Sequence, residues 1–292
     1  MNERLGIVLM LIAMLSFSIS DAFIKASEGH ISLGQSLFWL GILGTMCFAL
    51  YARLLGQNPF PRSLLEPPVL FRGASEILAT GSIFTALLYG SLTKTISIHQ
   101  IQPILVTLGA TLYFKEQIGW RRWTAIIVGF ASVMLIIRPG FSGWDYTVIF
   151  ALMGAVGLAL RDLSTKAIGS HVSSVQLSVL GYLALIPLGA VVLAIEDADL
   201  WIGWENAHLI AGITLFSMIA YLTITQSVRV AEFGAVMPFR FSRLIFVYAI
   251  GVFWFGEILD WQTIVGAMGI LFAGLFVLIR SDKLSNSAGV QK

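Results

Sequence analysis

Ten stretches of mostly apolar residues run along the chain, at 5–24, 33–54, 70–91, 96–114, 121–138, 145–167, 174–195, 206–228, 233–254 and 261–280. Each approaches the roughly 20 residues that a membrane-spanning helix needs. The linkers between them are short. The longest, Leu55 to Val69, carries Pro59, Pro61, Pro67 and Pro68. The pattern predicts an all-α integral membrane protein of ten transmembrane helices. The first stretch lacks a small-residue cleavage site and reads as a retained helix. The polar tail 283–292 is expected to stay disordered.

The pattern also repeats. Asp21 and Lys25 return as Asp162 and Lys166, Ser32 and Gln35 as Ser173 and Gln176, and Glu116 and Trp120 as Glu257 and Trp261, each 141 residues on. A constant offset marks a duplication, so residues 1–140 and 141–282 are read as two five-helix copies. Five is odd, so the second copy is predicted to be inverted relative to the first, as in many secondary transporters.

Composition agrees with a membrane protein. Apolar residues make up 57% and charged residues 12%, against about 25% charged in soluble domains. A net charge of +2 gives no reason to expect nucleic acid. The distribution of Lys and Arg predicts orientation. With the N-terminus inside, the inner segments hold Arg4, Arg53, Arg62, Arg72, Lys115, Arg121, Arg122, Lys166, Arg229, Arg280, Lys283 and Lys292, and the outer ones hold Lys25, Lys94 and Arg138. Both termini are therefore expected in the cytoplasm.

Ionisable residues within spans are costly and rank first as functional candidates. Glu76 and Arg240 fall at similar counted depths, roughly 9–11 Å from the cytoplasmic end of their spans, and Arg243 lies one turn deeper. They are read either as the wall of a substrate cavity or as a structural ion pair. Asp21–Lys25 and Asp162–Lys166 share i,i+4 spacing at opposite faces, and are read as gate latches or as snorkelling terminal charges. Asp21 and Glu76 are also candidates for proton coupling. Gln102 and Pro103 give the fourth span a polar, kinked start, and His99 is expected to be solvated near the outer interface. Trp39, Tyr89, Phe239 and Tyr248 are candidates for stacking on a planar substrate. Glu116 and Glu257 read as caps of helical hairpins.

The chain has no Walker-type phosphate loop, His-Glu-x-x-His, Gly-x-Ser-x-Gly or Cys-x-x-Cys, so the reading is not an enzyme. No metal or cofactor is expected: the four histidines have no ligand spacing, and Cys47 is the only cysteine.

The segments Gln102-Pro103 through Leu112-Tyr-Phe-Lys-Glu116, Trp120 to Arg138-Pro139-Gly140, and Leu244 through Phe253-Trp-Phe-Gly-Glu257 to Trp261 resemble the drug/metabolite transporter superfamily, in its EamA-like ten-helix branch. Met237-Pro238-Phe239-Arg240-Phe241, with Asp21, Lys25, Asp162 and Lys166, resembles the bacterial S-adenosylmethionine uptake branch. The resemblance implies a central cavity built from spans one, three, four, six, eight and nine. The expectation is an inner-membrane secondary transporter working by alternating access on a small polar metabolite: an amino acid, riboflavin or an S-adenosylmethionine-like compound. Glu76, Gln102, Arg240, Arg243, Trp39, Tyr89 and Phe239 are its substrate candidates. Asp21, Lys25, Asp162 and Lys166 are its gating or coupling candidates. The expected partners are the substrate, the bilayer and, as a candidate coupling ion, protons. Drug or metabolite efflux is the alternative, and a lipid-handling membrane enzyme ranks behind it.

Overall fold

The computed structural model describes residues 3–114, 120–137, 145–168, 171–230, 239–240, 242–258, 260–269 and 271–272. Regular structure there is helical throughout: α1 (Glu3–Ala26), α2 (Leu33–Leu54), α3 (Pro67–Tyr89), α4 (Leu92–His99), α5 (Gln102–Phe114), α6 (Trp120–Ile137), α7 (Thr147–Ala167), α8 (Ser174–Glu196), α9 (Ala207–Val230) and α10 (Ser242–Phe255). Residues 261–269 form α11. Within the described residues, Arg4–Ala26, Leu33–Leu54, Thr147–Thr165, Ser174–Glu196 and Trp204–Ile224 are each long and apolar enough to cross a membrane. A helix suits that setting because it pairs its own backbone groups where no water can.

Local chemistry sets several ends. Ser32 accepts from the Gln35 N–H while Gln35 accepts from the Ser32 N–H, and Ser173 and Gln176 do the same at the start of α8. These two capping boxes stand 141 residues apart, each satisfying two otherwise orphaned donors. Pro67 opens α3, where its missing N–H costs nothing. Asp197, in the left-handed region at φ 49°, closes α8.

The fourth predicted span, 96–114, is corrected to two helices. α4 starts at Leu92 and ends at His99, and α5 resumes at Gln102. Between them Gln100 and Ile101 make i→i−3 bonds to Ser97 and Ile98. Pro103 cannot donate to the His99 carbonyl, so the α-helical ladder cannot run through. The ninth span, expected over 233–254, is described as a helix only from Ser242. Phe239 and Arg240 form a 3-10 turn ahead of it, so counting helical rise does not locate Arg240. Pro187 sits inside α8, which continues through it. Pro238, Glu116 and the chain after 272 lie outside the described residues.

The chain divides into two compact units, each drawn from both halves of the sequence. The first takes residues 1–19, 92–145 and 219–292, and the second takes 20–91 and 146–218. In the first unit α4 packs on α10. Met10, Ala13 and Met14 of α1 form a core with Ile7, Phe17, Ile224 and Phe246, and Ser227 donates to the Gly6 carbonyl at 2.7 Å.

In the second unit α2 lies along α8, and α3 along α7 and α8. Glycine permits the close approach. A Cβ on Gly34 would stand 2.8 Å from the Leu193 Cα, one on Gly189 2.6 Å from the Phe38 Cα, and one on Gly157 2.8 Å from the Ala79 Cα. Small residues at such seams are how helices associate where the hydrophobic effect gives no help. The 141-residue relation recurs in the bonding. Gln35 Nε2 donates to the Asp199 carbonyl at 2.7 Å, and Gln176 Nε2 to the Asn58 carbonyl at 2.8 Å. The accepting residues, Asn58 and Asp199, also stand 141 residues apart.

Candidate substrate site

In the second unit, α3 and α7 run antiparallel and bring four charges together. Glu76 is 6% exposed. Its Oε1 lies 3.4 Å from Arg161 Nη1 and its Oε2 3.7 Å from Arg72 Nη2. Arg72 also donates to Thr165 Oγ1 and to the Leu177 carbonyl of α8, both at 3.0 Å. Arg161 donates through Nε and Nη2 to Asp162 Oδ1, at 3.1 and 3.0 Å. Arg72 and Arg161, the partners described here for Glu76, belong to its own unit. Arg72 and Arg161 were not among the expected site residues, although Arg72–Glu76 has the same i,i+4 spacing that marked Asp21 and Lys25. Arg72 had been counted with the cytoplasmic charges. The positions 141 residues away from Glu76 and Arg161 are Ser217 and Ser20, neutral hydroxyls. Ser20 donates to the Ile213 carbonyl and Ser217 accepts from the Tyr182 hydroxyl.

The expected Asp21–Lys25 pair is corrected. Lys25 Nζ binds Glu28 Oε2 at 2.7 Å, with Glu28 half exposed, a pair of little energetic weight. Asp21 is buried at 4% exposure. Asp162 is held by Arg161, and the Lys166 side chain lies outside the described residues. Trp39 Nε1 donates to the Leu200 carbonyl at 3.0 Å, so it holds the loop between α8 and α9. Tyr89, at the end of α3, is about half exposed.

In the first unit the break between α4 and α5 is lined by polar side chains. His99 is 4% exposed, and Gln100 and Gln102 are each 7%. The expectation of a solvated His99 is corrected. α4 begins four residues before the predicted span and is buried along most of its length, which takes His99 inward with it. Ser97 and Tyr248 hydrogen-bond at 2.9 Å across α4 and α10, and Ser97 also donates to the Thr93 carbonyl. The repeat relation maps His99 onto Arg240 and Gln102 onto Arg243. Arg243 lies over the Phe17 ring at 5.2 Å. Phe239 is 36% exposed, and its carbonyl accepts from Ser242 Oγ at 2.7 Å.

Glu257 caps a helix, but not in its own hairpin. Its Oε1 accepts from the Leu92 N–H at 2.8 Å and its Oε2 from the Thr93 N–H at 3.1 Å. A carboxylate on the first donors of α4 offsets both the unpaired N–H groups and the positive end of the helix dipole. Gly256, at φ 63°, turns the chain so that the Glu257 N–H bonds back to Gly251.

Comparison with known proteins places this geometry. The S-adenosylmethionine uptake transporter of Rickettsia prowazekii is 23% identical over 99% of this chain and 98% of its own length. The riboflavin transporter of Vibrio cholerae is 25% identical over 62% of this chain and 61% of its own. The pseudopaline exporter of Pseudomonas aeruginosa is 21% identical over 92% and 94%. A solved crystal structure superposes with a TM-score of 0.63 at 14% identity, covering 96% of this chain and 98% of that one, which shows a shared fold. Residues 4–138 match the EamA-like transporter family. Residues 4–138 carry an EamA-like domain of the drug/metabolite transporter superfamily, within a multi-pass membrane protein whose described regular structure is helical.

Proposed function

We propose that this protein imports a small metabolite of the S-adenosylmethionine kind across the bacterial inner membrane, by alternating access between two inverted five-helix repeats. Gln102, Arg240 and Arg243 face the substrate in this reading. The observation that carries it is the break between α4 and α5, with His99, Gln100 and Gln102 buried around it. Non-helical backbone at membrane depth persists only where protein buries it or it lines a cavity, and discontinuous helices build the substrate sites of several transporter folds. Two guanidiniums on α10 and the turn before it suit a carboxylate, because each offers a fork of donors and stays charged. The end-to-end match to uptake transporters supports the substrate class. The ion network around Glu76 is assigned to gating instead, since Arg72 and Arg161 already engage its carboxylate.

Flux into proteoliposomes tests the reading. Labelled S-adenosylmethionine is expected to enter saturably, and Arg240→Ala is expected to abolish entry while the protein stays folded. No flux above empty vesicles, or full flux through a stable Arg240→Ala variant, would overturn it. The near full-length match to an exporter favours efflux as the second reading. Uptake into inside-out but not right-side-out vesicles would select it.

Both termini are proposed to be cytoplasmic. Cysteines introduced between residues 55 and 69 should resist a membrane-impermeant thiol reagent applied from the periplasm. Labelling there would reverse the topology.

A further inference from the structure

α4 is a short strut, gripped at one end and leading into the polar break at the other. It has eight residues, of which seven are buried. Isolated helices shorter than about 12–15 residues are marginal, so α4 keeps its place through what grips it. Within the first unit, described residues grip its first two turns. The Glu257 carboxylate accepts from the Leu92 and Thr93 N–H groups at 2.8 and 3.1 Å. Gly251 of α10 lets Thr93 come close, since a Cβ there would stand 2.5 Å from Thr93 Oγ1. Ser97 Oγ already donates to the Thr93 carbonyl, so it accepts from the Tyr248 hydroxyl at 2.9 Å.

The hairpin that carries Glu257 has another cap for its own next helix. At the start of α11, Asp260 Oδ1 accepts from the Thr263 N–H at 2.7 Å. The turn at Gly256 and the bond from the Glu257 N–H to the Gly251 carbonyl fix the backbone from which the Glu257 carboxylate reaches α4. A carboxylate suits that place, because it offers two acceptors to two orphan donors and meets the positive end of the helix dipole. At 1.5 Å per residue, the grip at Leu92 lies roughly 12 Å along the chain axis from Gln100 in the break.

We propose that Glu257 is a positioning residue for transport: by fixing the first turn of α4, it sets where the break with His99, Gln100 and Gln102 stands, without itself touching substrate. The proposal rests on the transport reading above, in which Gln102 faces the substrate.

A thiol at the far end of α4 reads the effect. Gln100→Cys is combined with Cys47→Ala, because Cys47 is exposed. Its reaction with N-ethylmaleimide in detergent is timed with Glu257 intact and in Glu257→Gln and Glu257→Ala. Gln100 is 7% exposed, so reaction requires local opening around the break. Glu257→Ala is expected to speed it about fivefold, the usual weight of one helix cap. Glu257→Gln keeps one oxygen acceptor and should speed it less. Asp260→Ala, which removes the α11 cap, should leave the rate unchanged. In proteoliposomes the KM for S-adenosylmethionine should rise in Glu257→Ala while maximal uptake per folded protein holds, and Asp260→Ala should keep the wild-type KM. An unchanged thiol rate confines Glu257 to a local cap and overturns the proposal, as does a faster thiol with an unchanged KM. Equal effects in Asp260→Ala would assign the result to the hairpin as a whole and overturn it too. A wild type that takes up no S-adenosylmethionine overturns the transport reading, while the thiol rate, read without substrate, still decides whether Glu257 places the break.

Discussion

Gly189→Leu is expected to remove folded protein from the membrane. Even the first side-chain atom added at Gly189 would stand 2.6 Å from the Phe38 Cα, and at Gly34, on the same seam, 2.8 Å from the Leu193 Cα. Overpacking costs about 1–3 kcal/mol where side chains can yield. Here the atoms in the way are backbone, so α2 and α8 would have to separate along much of their contact. Gly189→Ala should already lower the melting temperature measurably. Gly73→Ala serves as the control, because its nearest neighbour would be a Leu180 side-chain atom at an ordinary 3.7 Å. Fluorescence-detected size-exclusion of detergent extracts reads the result. A monodisperse Gly189→Leu peak at wild-type level would show that the seam is looser than described.

Arg161→Ala should be the most damaging change among the charged residues. It removes the 3.4 Å guanidinium partner of the buried Glu76, leaving the longer 3.7 Å contact to Arg72 in place, and it strips Asp162 of the two donors described for it. Removing one member of a buried pair costs about 3–5 kcal/mol, because the other charge stays behind without compensation. The remaining Arg72 should hold this case near the lower end. Replacing Arg161 and Glu76 together by methionine should recover most of the stability, since it removes one charge of each sign and spares the Arg72 bonds to Thr165 and Leu177. Melting temperature and flux then part company. If the network is a gate, the double variant is stable and transports poorly. If it is only a brace, transport returns with stability. A double variant no more stable than Arg161→Ala would contradict the pairing itself.

Much of the architecture could be read before any coordinates. The apolar stretches became helices because a chain in lipid must satisfy its own backbone. Ser32 and Gln35, paired across the offset with Ser173 and Gln176, became capping boxes because a cap depends on residues three apart. The family resemblance was carried by short motifs and needed no tertiary contact. The candidate site was legible in part. Pro103 announces the break between α4 and α5, and Gln102 opens α5 beside it; Arg243 lies on α10 of the same unit. The break itself arrived a few residues from its expected place, because the burial of α4 extends the helical segment back to Leu92.

The sequence by itself determined which segments are helical and where several of them start. These depend on bonds within a few residues and on solvent, both written locally. Only the tertiary structure decided the partners. Glu76 meets Arg161 from 85 positions away, Glu257 caps a helix 165 positions earlier, Lys25 turns to Glu28, His99 is buried, and Arg243 comes to rest on Phe17. A soluble helix shows its buried face by contrast with a polar one. A membrane helix is apolar nearly all round, so that contrast is absent, and the packing of small residues and the few polar groups must choose its neighbours.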